Sequence, residues 1–305
     1  MMLQNPIRLI PTRHIKVWGS TDLQPWFDSC GEKIGEYWFT AGGNATSVGL
    51  TLDQLIQKYG AQLLGSDIAT AGSFPILVKF LFTTENLSIQ VHPNDEYGSN
   101  HENSPGKTEM WYILQAEPEA RIALGFRDTY SSDVVRASIA THEIVDLMKW
   151  IPVHAGQSFF TPAGTVHALG GGLALLEIQQ NSDVTYRLYD YGRPRQLHIE
   201  KSLAVADLVP HPGARMPMPI SDGEELARCQ YFVTELRNVT AALTYTPDPQ
   251  RFHVLIFTRG SGTIGADKFR LGDCFVIPAA CDPFLIEPDG VVEMVRTYVP
   301  PLTHA

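Results

Sequence analysis

The sequence predicts a mainly β fold in which two related β-barrels are decorated by a few helices. Most of the 305 residues lie in short runs of β-branched and aromatic residues separated by glycine and proline, a pattern typical of strands and turns. Hydrophobic residues make up 44% of the chain and charged residues 18%, which is a globular composition with enough apolar residues for a large core. A weak internal repeat indicates that the barrel occurs twice.

The individual elements follow from local periodicity. Helical spacing is found at Thr51–Leu64, where apolar residues recur at i, i+3, i+4 and i+7, and again at about Glu200–Leu208. Strands are predicted from β-branched and aromatic content at Phe74–Phe82, Leu87–His92, Met110–Leu114, Gln157–Thr161 and Leu173–Gln179.

The internal repeat relates a segment of the first half to one near the C-terminus. Residues 156–167 (GQSFFTPAGTVH) resemble residues 272–283 (GDCFVIPAACDP), since each has a glycine turn, a strand and then Pro-Ala. The strand that begins at Glu109 can likewise be set against the one that begins at Phe252. The second copy has Phe252 and Pro283 where the first has Glu109 and His167, and neither replacement can bind a metal. We therefore expect the functional site in the first barrel.

Proline content marks the boundary between the two copies. The stretch VPHPGARMPMPISDGEE, which ends at residue 225, holds four prolines and few apolar residues, as linkers often do. The chain is therefore predicted to divide into a catalytic domain with helical elements at 1–210, a linker at 211–225 and a C-terminal barrel without metal ligands at 226–305.

Charge and cysteine content limit the expected partners and location. The formal net charge is -10 and no run of Lys and Arg could follow a phosphate backbone, so we expect no nucleic acid partner. No segment approaches the roughly 18 consecutive apolar residues of a membrane helix, and the N-terminus lacks the apolar stretch of a signal peptide. The four cysteines form no CxxC pair and are predicted to be reduced packing residues in a cytoplasmic protein. An anionic substrate would need a few local cations.

Three polar residues of one predicted strand, Ser88, Gln90 and His92, alternate with apolar residues in LSIQVHP. On a strand these three share one face. Polar groups inside a barrel are costly unless they bind something, so we expect this face to line a cavity. The alternative, for this segment alone, is a polar edge that faces solvent.

Two more segments add groups that could bind a metal. Lys107 and Glu109 stand two residues apart at the head of an apolar strand, although a surface ion pair would explain them equally well. A Pro-Gly turn delivers His167, which by itself could be structural. Together Gln90, His92, Glu109 and His167 offer an amide oxygen, two imidazoles and a carboxylate. This set suits one Zn²⁺ per chain and leaves room for water or substrate.

The segment LEIQQNSDVTYRLYD supplies the remaining candidates. Glu177 and Gln179 share a strand face, and Arg187 stands a few residues beyond. A carboxylate near a metal is a candidate proton carrier, and arginine can grip a phosphate by paired hydrogen bonds. The alternative is an exposed strand with a structural salt bridge.

Four of these motifs, in order, resemble the signature segments of a known enzyme family. LSIQVHPND, GKTEMWYIL, TPAGTVHAL and LEIQQNSDVTYRLYD are similar to segments of the type I phosphomannose isomerases, in particular their shorter bacterial form, which belong to the cupin superfamily. Trp18-Gly19 and Gly35-Glu-Tyr-Trp38 look like the opening motifs of that family. The resemblance covers about residues 5–210 strongly and the C-terminal barrel loosely.

The resemblance implies a double-cupin fold and a zinc-dependent isomerase that interconverts D-mannose 6-phosphate and D-fructose 6-phosphate through a cis-enediol. It places Gln90, His92, Glu109 and His167 around the zinc and Arg187 at the position of the essential arginine of the family. The pocket residues that it implies are Lys107, Glu177, Ser88, Glu36 and Trp18. We expect Glu177 to carry the proton, with His or Lys as alternatives. A small phosphosugar is the expected partner, and the chain is predicted to be a monomer or a weak homo-oligomer.

Three other functions fit the sequence less well. An iron-dependent dioxygenase would use two His and one carboxylate, which fits a Gln ligand poorly. A catalytically silent sugar-phosphate sensor on the same scaffold would be expected to lose ligands, and all four are present. A storage-type double barrel does not explain polar strand faces in one barrel only.

Overall fold

The computed structural model describes residues 2–68 and 72–301, and strands predominate over helices in them. The strands of the first half are β1 (Ile7–Arg8), β2 (Thr12–Ser20), β3 (Ile34–Trp38), β4 (Ile76–Thr83), β5 (Ile89–Val91), β6 (Glu109–Ala116), β7 (Arg121–Phe126), β8 (Met148–Pro152), β9 (Ser158–Thr161), β10 (His167–Leu169), β11 (Leu173–Gln180) and β12 (Tyr186–Tyr189). Those of the second half are β13 (Met218–Ile220), β14 (Gly223–Arg228), β15 (Val233–Val239), β16 (Leu243–Tyr245), β17 (His253–Arg259), β18 (Ser261–Ile264), β19 (Asp267–Arg270), β20 (Cys274–Ile277), β21 (Phe284–Pro288) and β22 (Val292–Tyr298). The mainly β class and all five predicted strands are confirmed.

Helices lie between the strands, mostly in the first half. They are α1 (Leu52–Tyr59), α2 (Ala61–Leu64), α3 (Asp95–Glu102), α4 (Ser132–Ala140), α5 (Ile144–Leu147) and α6 (Ile199–Val205), with 3₁₀ turns at Met2–Gln4 and Ser66–Ile68. The predicted helix at Thr51–Leu64 is two helices, because the chain turns at Gly60 with a φ of 46°. Helix α6 ends at Val205, three residues before the predicted end.

Four antiparallel sheets form two barrels. In the first barrel a six-stranded sheet (β2-β3-β4-β11-β6-β9) packs its inner face against that of a five-stranded sheet (β12-β5-β10-β7-β8). In the second barrel a seven-stranded sheet (β1-β20-β17-β22-β15-β14-β13) packs against a four-stranded sheet (β16-β21-β18-β19). The double-barrel fold that the sequence predicts is therefore confirmed.

The internal repeat is visible in the strand pairing. Strand β6 pairs with β9 in the first barrel, and β17 pairs with β20 in the same antiparallel sense in the second. The glycine turns before β9 and β20, at Gly156 and Gly272, both have a φ of 87°, which favours glycine. The two sequence segments thus occupy equivalent places in the two barrels.

The predicted division at 1–210, 211–225 and 226–305 stays a prediction, but two facts bear on its boundaries. Strand β1 pairs with β20 and so belongs to the second barrel by hydrogen bonding. The proline-rich stretch carries β13 and the start of β14, which form a hairpin at the edge of the same sheet. Proline is tolerated there because β13 is an edge strand.

The two barrels pack against each other through their larger sheets. On β4, Val78 and Phe80 lie in the same buried apolar cluster as Val254 and Ile256 of β17. Every residue of β4 is buried, since one face meets the second barrel and the other faces the interior of the first. The polar residues of β4, β6 and β11 that point inward are therefore shielded from solvent on all sides but the barrel mouth.

The cysteines and helices match most of the remaining expectations. All four cysteines are free thiols, and Cys274 and Cys281 are buried. Cys30 is exposed, so the prediction that it packs in the interior is wrong. No helix within residues 2–68 and 72–301 has the length and apolar content needed to cross a membrane.

Candidate metal centre and active site

Strand alternation places three charged side chains inside the first barrel. On β4, β6 and β11 the apolar residues of one face pack against the second barrel, so Lys79, Glu109 and Glu177 point the other way. The register sets Glu177 directly opposite Lys79 on one side and Trp111 on the other. The next inward residue of β11, Gln179, lies opposite Glu109.

A second row of polar side chains comes from the facing sheet. Ile89 and Val91 pack outward under the helices, which turns Gln90 inward. In the sheet Gln90 lies between His167 of β10 and Arg187 of β12. The same inward face brings Ser88, Gln90 and His92 together, as alternation predicts.

Two histidines and a glutamate meet beneath the cavity. His92 Nε2 lies 3.5 Å from Glu109 Oε2, and His167 Nε2 lies 3.3 Å from Glu109 Oε1. Each histidine uses Nδ1 to donate to a backbone carbonyl, of Val184 at 2.8 Å and of Thr165 at 2.9 Å. This leaves the Nε2 lone pair of each ring facing the carboxylate, which is the tautomer that a metal ligand needs.

The electrostatics of this cluster favour neutral imidazoles. Burial lowers the pKa of His167 to about 4 and that of His92 well below its ordinary value. Burial also raises the pKa of Glu109, against the opposing effect of Lys107. Among the described residues, Glu109 Oε1 accepts no hydrogen bond, whereas Oε2 is paired with Lys107 at 2.9 Å.

The donor set fits a divalent cation. The three ligand atoms lie within 4.8 Å of one another, and all three residues are buried. The Glu109 carboxylate has acceptor positions that face the two imidazoles, and a cation placed among them would be stabilised by all three groups. Gln90 adjoins the cluster, because its Nε2 lies 3.2 Å from His167 Nε2 while its Oε1 accepts from Ser88 at 3.1 Å.

Lys107 lies beside the cluster. Its Nζ is 2.9 Å from Glu109 Oε2 and 3.1 Å from His92 Nε2. Burial opposes its charge, but Glu109 and Glu177 outweigh burial and raise the pKa of Lys107 above its usual value. Lys107 is therefore a protonated group at the edge of the cavity.

Glu177 is ionised despite its burial. Oε1 lies 3.1 Å from Lys79 Nζ, and Oε2 accepts from Trp111 Nε1 at 3.1 Å. Burial would raise the pKa of Glu177, but Lys79 and Lys107 outweigh it and lower the pKa to about 2. Lys79, which the sequence patterns did not single out, is therefore the main reason that Glu177 is ionised.

One cavity of about 280 Å³ opens onto these groups. It is lined by ten of the residues already introduced, namely Trp18, Glu36, Lys79, Ser88, Gln90, Lys107, Trp111, His167, Glu177 and Arg187, and also by Lys16, Leu81, Leu87, Leu169, Asp183, Thr185, Arg195 and His198. His92 and Glu109 lie directly behind this lining. All ten residues singled out from the sequence are therefore brought to a single site.

Arg187 is held on one side of the cavity. Its Nε donates to Ser88 Oγ at 3.3 Å and its Nη1 to the Gln196 carbonyl at 3.0 Å. Its backbone N–H donates to His198 Nδ1 at 3.2 Å. Burial lowers the pKa of Arg187, and the positive charge of nearby Arg195 lowers it further. The two guanidinium groups thus concentrate positive charge on this side of the cavity.

Trp18 and Glu36 line the cavity from β2 and β3, at one end of the six-stranded sheet. Glu36 Oε1 is 3.4 Å from Lys16 Nζ, and its Oε2 accepts from Trp38 Nε1 at 2.5 Å. Trp18 is almost fully buried and packs inside the barrel. Both residues line the same cavity as His167.

Sequence reasoning missed several lining residues. Lys79 was detectable, because a lysine in the middle of ILVKFLFT contradicts an apolar strand. Arg195 and His198 lie in a loop without periodicity, and no local pattern marks them. That loop is folded back by Asp190, which is buried and accepts two 2.6 Å hydrogen bonds from Arg195.

Comparison with known proteins gives consistent results. Residues 8–130 match the family described as phosphomannose isomerase type I, catalytic domain. The chain is 33% identical to the mannose-6-phosphate isomerase of Streptococcus mutans, over 97% of this chain and 99% of that protein. It is also 33% identical to the mannose-6-phosphate isomerase of Bacillus subtilis, over 98% and 100% of the two chains.

A solved structure shares the architecture. The crystal structure of the mannose 6-phosphate isomerase from Bacillus subtilis superposes with a TM-score of 0.86 and 29% identity, covering 96% of this chain and 99% of that one. The similarity extends through both barrels, so the second barrel belongs to the shared fold. On the strength of the full-length relatives, the chain belongs to the type I phosphomannose isomerases.

Proposed function

We propose that this chain interconverts D-mannose 6-phosphate and D-fructose 6-phosphate by moving a proton between C1 and C2 through a cis-enediol. Family membership and full-length similarity to mannose-6-phosphate isomerases support this reaction. The observation that carries the proposal is one cavity with a His/Glu/His cluster behind it and paired arginines at its side. The sensor alternative is not favoured, since every expected ligand is present.

The metal is proposed to be one zinc ion, held by Gln90, His92, Glu109 and His167. Gln90 would present Oε1 after its amide is turned over, and Ser88 can then accept instead of donating. Neutral imidazoles and a carboxylate are preferred zinc ligands. When bound, zinc supplies positive charge that stabilises negative charge developing on a substrate oxygen.

Glu177 and Lys107 are proposed to take part in proton transfer. Glu177 lines the cavity as a carboxylate, the form that can accept a proton from carbon. Its low pKa makes it a weak base, so the ion pair with Lys79 must loosen as the proton arrives. Lys107 is protonated and could share its hydrogen with the substrate oxygens.

Arg187, Arg195 and His198 are proposed to bind the phosphate. Arg187 uses Nε and Nη1, and Arg195 uses Nε and Nη2, in hydrogen bonds within the described residues. One terminal nitrogen of each guanidinium thus remains for a ligand. His198 accepts at Nδ1, so Nε2 carries the hydrogen and can donate. Three donors on one side of a cavity suit a phosphate dianion.

The test is Arg187→Ala, because phosphate binding would position the distant C1 and C2. We expect kcat/KM for mannose 6-phosphate to fall about 100-fold or more, while zinc content and thermal stability stay normal. Arg193→Ala is the matched control, since Arg193 pairs with Asp190, as Arg195 does, but does not line the cavity. Loss of zinc from Arg187→Ala, or unchanged kcat/KM, would contradict the assignment.

A further inference from the structure

A hydrogen bond links the second barrel to the start of helix α3, beside the segment that carries His92. Tyr231, in the turn between β14 and β15, donates to Asp95 Oδ2 at 2.6 Å. Asp95 begins helix α3 and lies three residues after His92. The two residues are 136 positions apart in sequence, so the contact is purely tertiary.

The other oxygen of Asp95 holds two segments of the site at once. Oδ1 accepts from the backbone N–H of Gly106 and from Gln180 Nε2, both at 2.8 Å. Gly106 directly precedes Lys107, and Gln180 ends the strand that carries Glu177. Asp95 therefore ties the His92 segment to the segment that leads through Lys107 into β6 and to β11, which carries Glu177.

The network continues to the histidine turn. Gln180 Oε1 accepts from the Thr108 N–H at 2.8 Å, and Thr108 Oγ1 accepts from the Ala163 N–H at 3.2 Å. Ala163 belongs to the turn that delivers His167. Through Asp95, each segment that carries a proposed zinc-binding His or Glu is cross-linked by side-chain hydrogen bonds.

Tyr231 is itself firmly placed. The Cys229 N–H donates to the Phe232 carbonyl at 3.0 Å, which closes the turn. Phe232 is fully buried in the cluster between the barrels and contacts the ring of Phe160 at 6.4 Å between centroids. The second barrel thus holds the Tyr231 hydroxyl in a hydrogen-bonded turn. A fixed hydroxyl can in turn fix the position of the Asp95 carboxylate.

We propose that Tyr231 is a positioning residue: through Asp95 it fixes the relative placement of His92, Glu109 and Glu177, and this is a function of the second barrel. The inference rests on the proposed isomerase activity for its kinetic readout. The rate of zinc release does not depend on that activity. Cross-linking of the segments that carry the proposed ligands should slow zinc release whether or not the protein is an isomerase.

The test is Tyr231→Phe, which removes one hydroxyl and keeps the ring. We expect kcat for mannose 6-phosphate to fall about 3- to 10-fold with KM nearly unchanged, as the loss of one hydrogen bond to a charged group allows. Zinc release into excess EDTA should become several-fold faster. Tyr298→Phe is the matched control, since it removes a similar hydroxyl–carboxylate bond, to Glu235 at 3.0 Å, inside the second barrel. It should leave kcat and zinc release at wild-type values.

Asp95→Asn provides a second variant if Tyr231→Phe does not fold. It removes the negative charge that accepts all three hydrogen bonds to Asp95, so it should change kcat and zinc release in the same direction as Tyr231→Phe and at least as strongly. Wild-type kcat and zinc release in Tyr231→Phe would overturn the proposal. If wild-type protein shows no isomerase activity, the proposed function fails, and zinc release alone still decides the role of Tyr231.

Discussion

At the scale of single residues, the pair formed by Lys79 and Glu177 determines the charge inside the first barrel. Both side chains are almost completely shielded from solvent, and their charged atoms are 3.1 Å apart. A buried ion pair is only weak evidence for stability, but removal of one partner leaves an uncompensated charge. The proposed roles of Glu177 and Lys107 therefore depend on Lys79, which sequence reasoning did not single out.

Lys79→Met should lower the free energy of unfolding by about 3 kcal/mol, because the Glu177 carboxylate would lose its closest cation. Chemical denaturation of the zinc-loaded protein measures the change. Arg136→Met is the control, since Arg136 and Glu200 form an exposed pair whose loss should leave the free energy of unfolding nearly unchanged. Equal effects of the two substitutions on the free energy of unfolding would show that Lys79 does not offset the cost of burying the Glu177 carboxylate.

At the scale of elements, adjacent residues of β4 face either the buried core between the barrels or the cavity. Phe80 points outward, is fully buried, and contacts the rings of Phe27 and Phe39 at centroid distances of 5.3 and 5.7 Å. Lys79 and Leu81, on either side of it, point inward and line the cavity. Adjacent positions of β4 should therefore respond differently to substitution.

Phe80→Ala should lower the free energy of unfolding by about 3–5 kcal/mol through loss of burial and creation of a cavity. Its kcat should stay close to that of wild type, because the side chain faces the second barrel. Leu285→Ala, at an exposed position of β21, should change stability by less than about 0.5 kcal/mol. A large loss of kcat in a stable Phe80→Ala protein would contradict the assignment of faces.

The limits of sequence prediction follow from these same elements. Alternation in LSIQVHP was sufficient to place Ser88, Gln90 and His92 on one inward face. Helix α3 was missed because its sequence DEYGSNHE has no apolar stripe, and its start is fixed instead by Asn94, which accepts from the Tyr97 N–H at 2.9 Å. The pKa of Glu177 could not be predicted, because it depends on Lys79, a residue 98 positions away on a neighbouring strand.

At the scale of the whole molecule, local and average charge have opposite signs. The chain carries a formal net charge of -10. The cavity is nevertheless lined by five basic residues, Lys16, Lys79, Lys107, Arg187 and Arg195, against three acidic ones, Glu36, Asp183 and Glu177. A zinc ion would add to this local excess of positive charge, which suits an anionic sugar phosphate. Oligomeric state, cytoplasmic location and the division into domains stay predictions.

The central claim is that one metal-dependent site in the first barrel isomerises a phosphosugar. The most direct test measures conversion of mannose 6-phosphate to fructose 6-phosphate by purified protein as isolated, after chelation, and after zinc is restored. We predict activity that is lost on chelation and returns with zinc. A folded, zinc-loaded protein that leaves mannose 6-phosphate unchanged would contradict the account.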